Sequence, residues 1–518
     1  MRGRLPLTLV LLAAIPALLV ATLVVATVAD AMRSGAAHML HEFLGATVIR
    51  LLFNTLSLMV AASLLAMVVG TAAAFLVVRT DVPLRPLWQA LGAAPLAVPA
   101  FIASYAWVSL SPHFEKFGGA LLVTTCAYFP LVYLPVAASL KRMDPMQEDM
   151  ARILGTSPIG GFLRVVLPQL RPAVLGGGAL VALRALTEFG AFAMMRFQTF
   201  TTQIYLVYTA GLTGSVASAL ALVLLVLCIV VLAGYVLLEG GRSYASVGRG
   251  TARVATVYHL GMWRLPALVF LVLLALASVG VPLGMTVYWL TQHGAAAVTP
   301  AEVSAHALLG ATWTSVKLGV GGAIFTSALI LPLAMLVSRW PGRRMVTWLS
   351  QVPWLAQGLP GIVIALSFIT VTIRLVPWLY QSTLLLIVAY AILFMPFALV
   401  GIQSALVQSP PLLEEIGRGL GHGWFGVLRR VTLPLAMPGI GAAAALVLTS
   451  IVSELTATLL LAPLGTETLA MRVWENTSAL AFASAAPYAA ILIGISMVTS
   501  WFTASRFGVT AHGAAIGS

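Results

Sequence analysis

The sequence predicts an all-α integral membrane protein of about twelve transmembrane helices, arranged as two parallel six-helix repeats. Three observations predict it. Of 518 residues, 60% are hydrophobic and only 8% charged, a balance that no soluble surface carries. Apolar runs of about twenty residues recur along the chain, continuous rather than alternating, which selects helices over a barrel. Finally, the polar segment 148–172 recurs at 414–438, with ten of 25 aligned positions identical and no gap.

The elements follow in order. The first run, 5–29, comes after Arg2 and Arg4 and looks like a signal peptide, down to a cleavage-like Ala29-Asp30-Ala31. It is longer than an ordinary signal core and is read as an uncleaved span. His38, His41 and Glu42 come next; so short a cluster reads as a solvated loop rather than a metal site. Spans 50–78, 88–111 and 118–139 follow, the second of these interrupted by Pro95 and Pro99. The polar loop 144–171 leads into span 172–196, which contains Glu188, and then span 215–238 closes the first repeat, 1–240. A linker rich in Gly, Ser and Arg occupies 241–263. The second repeat, 264–518, holds spans 264–290, 310–338, 346–372, 382–407, 437–462 and 482–505. Its third span carries Pro353 and Pro360, its fifth carries Glu454, and its polar loop is 409–436.

Basic residues orient the chain. Arg79, Arg85, Lys141, Arg142, Arg339, Arg343, Arg344, Arg429 and Arg430 cluster on one side, against scattered Arg33, Lys116, Arg196, Arg374 and Arg472 on the other. The positive-inside rule puts both termini and both polar loops in the cytoplasm. The net charge of +13 is distributed over short loops, without a basic patch interleaved with aromatics, which argues against nucleic-acid binding. Cys126 and Cys228 lie inside apolar runs and read as small buried hydrophobes.

The repeated loop has a fixed skeleton: an acidic residue, six steps to a glycine, ten to a valine, then Leu-Pro. Asp149, Gly155, Val165, Leu167 and Pro168 carry it in one copy; Glu415, Gly421, Val431, Leu433 and Pro434 carry it in the other. Physically this is a short helix with an acidic start, a glycine in the left-handed region, a second short helix with a basic face, and a proline opening the next span. A polar element duplicated at matching places points to a two-fold machine that docks a two-fold partner.

This pattern resembles the EAA loop of bacterial ABC-importer permeases. Asp149-Met150-Ala151 and Glu415-Ile416-Gly417 stand where that family has E-A-A, while the glycine, its spacing and Leu-Pro are intact. The resemblance implies a type I importer permease in which Asp149, Ala151, Gly155, Leu167, Pro168, Glu415, Gly417, Gly421, Leu433 and Pro434 form two coupling helices. It implies two ABC ATPase subunits and a solute-binding protein as partners, within membrane lipid. The chain has three lysines, Lys116, Lys141 and Lys317, none in a Gly-x4-Gly-Lys-Ser/Thr loop. No cofactor is therefore expected on this chain, and ATP and Mg belong to the partner ATPase; no catalytic or metal-ligating residue is assigned. The phrases NTLSL, PLAVPAFI, FQTFTTQIY, LPGIVIAL and SELTATLLLAPLGTETLAMRVW are similar to fused permeases for ferric iron. Related fused permeases serve thiamine and aminoethylphosphonate. An ion-coupled secondary transporter would account for the spans but not for a duplicated docking loop.

Four residues are candidates for the translocation path or its gate. Glu188 and Glu454 are intramembrane carboxylates 266 positions apart, and a structural or gating role is favoured over metal contact. Arg184 lies one turn before Glu188, whereas Ser450 takes that place before Glu454. Pro99 and Pro360 interrupt corresponding spans, a pattern that marks a path or a packing kink.

Overall fold

A computed structural model describes residues 6–33, 45–143, 162–211, 214–239, 257–292 and 304–507, with Met146, Met150, Ile153, Gly155 and Gly160 between them. In chain order the helices are α1 (Leu7–Met32), α2 (Ala46–Arg79), α3 (Arg85–Ala93), α4 (Ala100–Leu110), α5 (Lys116–Tyr128) and α6 (Pro130–Arg142). Next come α7 (Leu167–Thr187), α8 (Gly190–Met194), α9 (Phe200–Thr209), α10 (Gly214–Glu239), α11 (Arg264–Ala275) and α12 (Val281–Thr291). The second half continues with α13 (Ala305–Arg339), α14 (Arg344–Gln357), α15 (Gly361–Leu375), α16 (Thr383–Gln408) and α17 (Pro411–Gly419). It closes with α18 (Trp424–Val427), α19 (Leu433–Val452), α20 (Thr456–Leu461), α21 (Leu469–Ser478) and α22 (Phe482–Phe507). Among the described residues, ten helices are long and apolar enough to cross a membrane, or up to twelve if each of two bent pairs is one span.

The bent pairs are the proline-interrupted spans. The chain turns by 94° between 85–97 and 100–110, and by 104° between 344–357 and 361–375. Pro99 and Pro360 sit at the N-caps of α4 and α15 in extended conformation, so each ends one helix direction and starts another. Two expected spans lie further toward the N-terminus than the hydropathy pattern suggests. The helix expected over 172–196 stops at Thr187, and that expected over 437–462 stops at Val452; a short helix follows each. Hydropathy does not register these breaks, because the residues on both sides are equally apolar.

The chain forms two compact units: 1–42, 204–225 and 293–518 in one; 43–203 and 226–292 in the other. These are not the sequence halves 1–240 and 264–518. Each unit takes its first long helix from the other half. A helix that is apolar all round carries no periodicity to name its neighbour, so the sequence pattern could not assign α1 or α11–α12.

The first unit is built on mutual contact of α13, α16 and α19, with α1 laid along α13 and α15. Leu9, Ala13, Val20 and Leu23 of α1 join Ile330, Tyr390, Met395, Ile402 and Val447 in its core. A Cβ on Gly401 would lie 2.5 Å from Ala443 Cβ, and one on Gly439 2.4 Å from Ala405 Cβ. Paired small residues thus let α16 and α19 approach closely, the usual basis of helix association in lipid.

The second unit is built on α2, α6 and α7, around Ala66, Ala74, Val132, Val136, Leu170 and Val181. Ala267 and Leu271 of α11 pack into this core, and α12 packs on α4. The chain before α11 is tied down as well. The Tyr258 amide donates to Arg79 O at 2.7 Å, the Leu260 amide to Asp81 Oδ1 at 3.0 Å, and His259 Nδ1 lies 3.3 Å from Asp81 Oδ2. These bonds fix the helix entering from the linker to the end of α2. Cys126 and Cys228 are buried free thiols.

Candidate functional site

The second polar loop is fully traced as a helix, a glycine turn and a second helix. Pro411 starts α17, where its missing N–H costs nothing, and Glu414 lies in the first turn at the positive end of the helix dipole. Gly421 ends the helix at φ +86°, with its amide donating to Arg418 O at 3.0 Å and the His422 amide to Gly417 O at 3.2 Å. This is a Schellman closure, which requires the left-handed region. Gly155 of the first copy also has a left-handed φ, +80°. In both copies a π-helical turn, Phe162–Val166 or Leu428–Thr432, precedes the long helix, which begins Leu167-Pro168 or Leu433-Pro434. Asp149 and Ala151 lie outside the described residues.

Gly417 is buried, and a Cβ there would lie 3.3 Å from Val427 Cγ2 and 3.6 Å from Val431 Cγ2. The turn of chain after Gly421 folds back onto α17 at this point, so the position needs a small side chain. Glu415, the acidic residue singled out by the skeleton, is exposed. Its neighbour Glu414 is the buried one. Glu414 Oε1 accepts from Arg339 Nη2 at 2.8 Å, Arg339 Nε at 3.0 Å and Thr432 Oγ1 at 3.1 Å. Arg418 stands 3.6 Å from Oε2, and Arg339 Nη2 also donates to Ser409 O at 3.1 Å. Both charged side chains are only 5% exposed. Arg339 is the last residue of α13, so this pair fastens the loop to the end of a long helix. The sequence reading counted Arg339 as a loop charge. The pointer it held was Glu148 and Glu414, identical in both copies, with Arg79 and Arg339 each ending a long helix upstream. Arg79 is likewise fully buried.

One face of α17 is left uncovered. Leu412, Ile416 and Leu420, at i, i+4 and i+8, are 63%, 51% and 75% exposed, with Phe425 beyond them at 68%. Met146 and Met150, which align with Leu412 and Ile416, are also exposed. An exposed apolar stripe of this kind marks a surface for a protein partner or for the membrane.

The intramembrane candidates assemble in two matching sets, one in each unit. Glu188 caps α7, and its carboxylate receives the Tyr128 hydroxyl at 2.6 Å and the Ala191 amide at 3.0 Å. Glu454 lies just past α19 and receives the Ala457 and Thr458 amides at 2.9 and 3.0 Å and the Thr458 hydroxyl at 2.7 Å. Each carboxylate therefore caps the short helix that follows it. Those short helices pack on the helices started by the prolines: α8 on α4, and α20 on α15. A Cβ on Gly361, the residue after Pro360, would be 3.4 Å from Glu454 Oε1. Ser450 bonds its own helix at Leu446 O. The residue that sequence reasoning missed is a tyrosine. Tyr128 reaches Glu188 directly, and Tyr390, 262 positions on, bonds Thr458 Oγ1 at 2.8 Å and so reaches Glu454 through it. Extending the internal alignment into spans 118–139 and 382–407 would have exposed this pair.

Replacing Tyr128 with Phe is expected to lower stability by about 1 kcal/mol, since the carboxylate keeps its backbone donor. Glu454→Gln turns an amide nitrogen toward donors and is expected to cost more, about 1–3 kcal/mol. Melting temperatures of the purified variants check both; equal stability of Glu454→Gln and the parent would remove the capping role.

A model of the family described as binding-protein-dependent transport system inner membrane component matches residues 62–244 and 330–505, one stretch in each half. An Fe(3+)-transport system permease protein of Haemophilus influenzae is 35% identical over 444 residues, 86% of this chain and 87% of that one. A permease of Salmonella typhimurium named for 2-aminoethylphosphonate transport is 29% identical over 197 residues, 37% of this chain and 74% of the relative. A sulfate transport system permease protein of the same organism is 31% identical over 139 residues, 24% of this chain and 50% of the relative.

Proposed function

The chain belongs to the family of binding-protein-dependent transport system inner membrane components, and from that premise we propose that it is the fused permease of an ATP-driven importer for ferric iron. The observation that carries the coupling role is the duplicated loop with its left-handed glycines and exposed apolar stripe. Each loop takes one ATPase subunit, so two ATPases serve one chain, and ATP and Mg reside on them. With the loops and both termini in the cytoplasm, the opposite face receives a solute-binding protein that delivers the cargo. Closure of the ATPase pair draws the loops together. In the second loop the Arg339–Glu414 pair passes that movement to α13. The capped breaks at Glu188 and Glu454, beside the prolines that start α4 and α15, are where the path opens and shuts.

Ferric iron rests on the relative that aligns along most of both chains. The shorter alignment to a permease named for 2-aminoethylphosphonate keeps that solute as the second reading. The deciding experiment is uptake into proteoliposomes holding the chain, its ATPase and its binding protein. ATP-dependent entry of ferric iron is expected, with two ATPase copies per chain by native mass spectrometry. Uptake of aminoethylphosphonate but not iron would replace the substrate, and a one-to-one ATPase complex would remove the two-site reading.

A further inference from the structure

The first unit contains an ion pair between a buried carboxylate and a half-exposed arginine, away from the polar loop and from Glu454. Asp30, in the last turn of α1, is 4% exposed. Its Oδ1 accepts from Arg374 Nη2 at 2.6 Å and its Oδ2 from Ser218 Oγ at 2.9 Å. These groups line a cavity of about 420 Å³ together with Arg33, Ser215, Leu366, Ile369 and Ile373.

The charges in this cavity do not balance. Two guanidinium groups face one carboxylate, so the lining carries a net positive charge and favours an anion over a cation. The Arg374 side chain is 40% exposed. A group with several acceptor oxygens and a negative charge answers that donor set, and arginine recognises phosphate oxygens with paired N–H donors.

Position and shape narrow the ligand. From Arg374 the chain runs to α16, whose 26 residues span roughly 39 Å and end directly before the second polar loop. The cavity therefore sits at the membrane boundary on the face away from that loop, at the level of lipid head groups. Leu366, Ile369 and Ile373 follow the i, i+3, i+7 spacing of one helical face; Leu366 and Ile369 form its buried wall, and Ile373, 52% exposed, forms its rim. A charged end beside an apolar wall and an exposed apolar rim suits an amphiphile. We propose that this cavity binds the phosphate group of a membrane phospholipid, with Arg33 and Arg374 on the phosphate and α15 alongside the acyl chain.

The test uses the purified full-length chain in detergent, without ATPase, so its outcome is independent of the transport reading. Phosphatidylglycerol is expected to raise the melting temperature saturably, while dioleoylglycerol, which lacks the phosphate, does not. Arg33→Gln leaves the Asp30–Arg374 pair intact and is expected to weaken the phosphatidylglycerol response about tenfold. Ser215→Phe fills the cavity and is expected to do the same. Inorganic phosphate giving the whole shift, lost in Arg33→Gln, would support the phosphate site and make free phosphate its source. Equal shifts from dioleoylglycerol, or a phosphatidylglycerol response intact in both variants, would overturn the proposal.

Discussion

Glu414→Ala is expected to abolish uptake and to lower stability by about 3–5 kcal/mol, because it strands the Arg339 guanidinium in a site that is 5% exposed. Thr432 and Ser409 do not replace the carboxylate, since one is a hydroxyl and the other a carbonyl already in use. The informative variant is the double replacement Arg339→Met, Glu414→Leu. Apolar side chains of similar volume often restore or exceed the stability of a buried pair. The melting temperature should therefore recover. Uptake should stay low, and ATP hydrolysis should lose its response to loaded binding protein, because the directional tie between the loop and α13 is gone. Full transport by the double variant would reduce the pair to a fold element. Glu415→Gln, on the exposed side of the same helix, is expected to leave the melting temperature unchanged and to act only on ATPase affinity.

Gly155→Val combined with Gly421→Val is expected to uncouple the permease while leaving it in the membrane. The glycines have φ of +80° and +86°, and among the described residues a Cβ at either would meet no atom within 4 Å. The expected effect is therefore conformational, through the left-handed backbone at both positions. A β-branched residue in the left-handed region costs about 1–3 kcal/mol at each site, enough to unwind the Schellman closure that aims Leu420 and the chain behind it. Co-purification of ATPase with the double variant should fall sharply. Asparagine tolerates that region, so Gly155→Asn with Gly421→Asn should retain most docking. Normal uptake by the valine pair would refute the coupling role. Loss of docking in both pairs would mean that the site needs more than left-handed backbone.

The membrane class, the helical architecture, the duplication and the repeated polar loop are all legible in the sequence. Each of these is written in a local or periodic signal: continuous apolar runs about as long as a bilayer is thick, a repeated polar skeleton, and glycines with a unique backbone range. Pro99 and Pro360 stand at interruptions, as expected, but proline alone does not set a break: Pro332, Pro353 and Pro396 lie inside α13, α14 and α16, where neighbouring helices tolerate them. Tertiary structure decided what those signals do not encode. Lipid is as apolar as leucine, so hydropathy cannot say which helix packs on which, and α1 and α11–α12 went to the opposite halves. Charge counting treated Arg339 and Arg374 as loop markers, yet Arg339 is buried on Glu414 and Arg374 is joined to the buried Asp30. The difference between Glu414 and Glu415 is one residue of helical rotation, about 100°, which turns one toward α13 and the other outward. Only the packing of α17 against the helices beside it sets that rotation, and with it which carboxylate is the anchor.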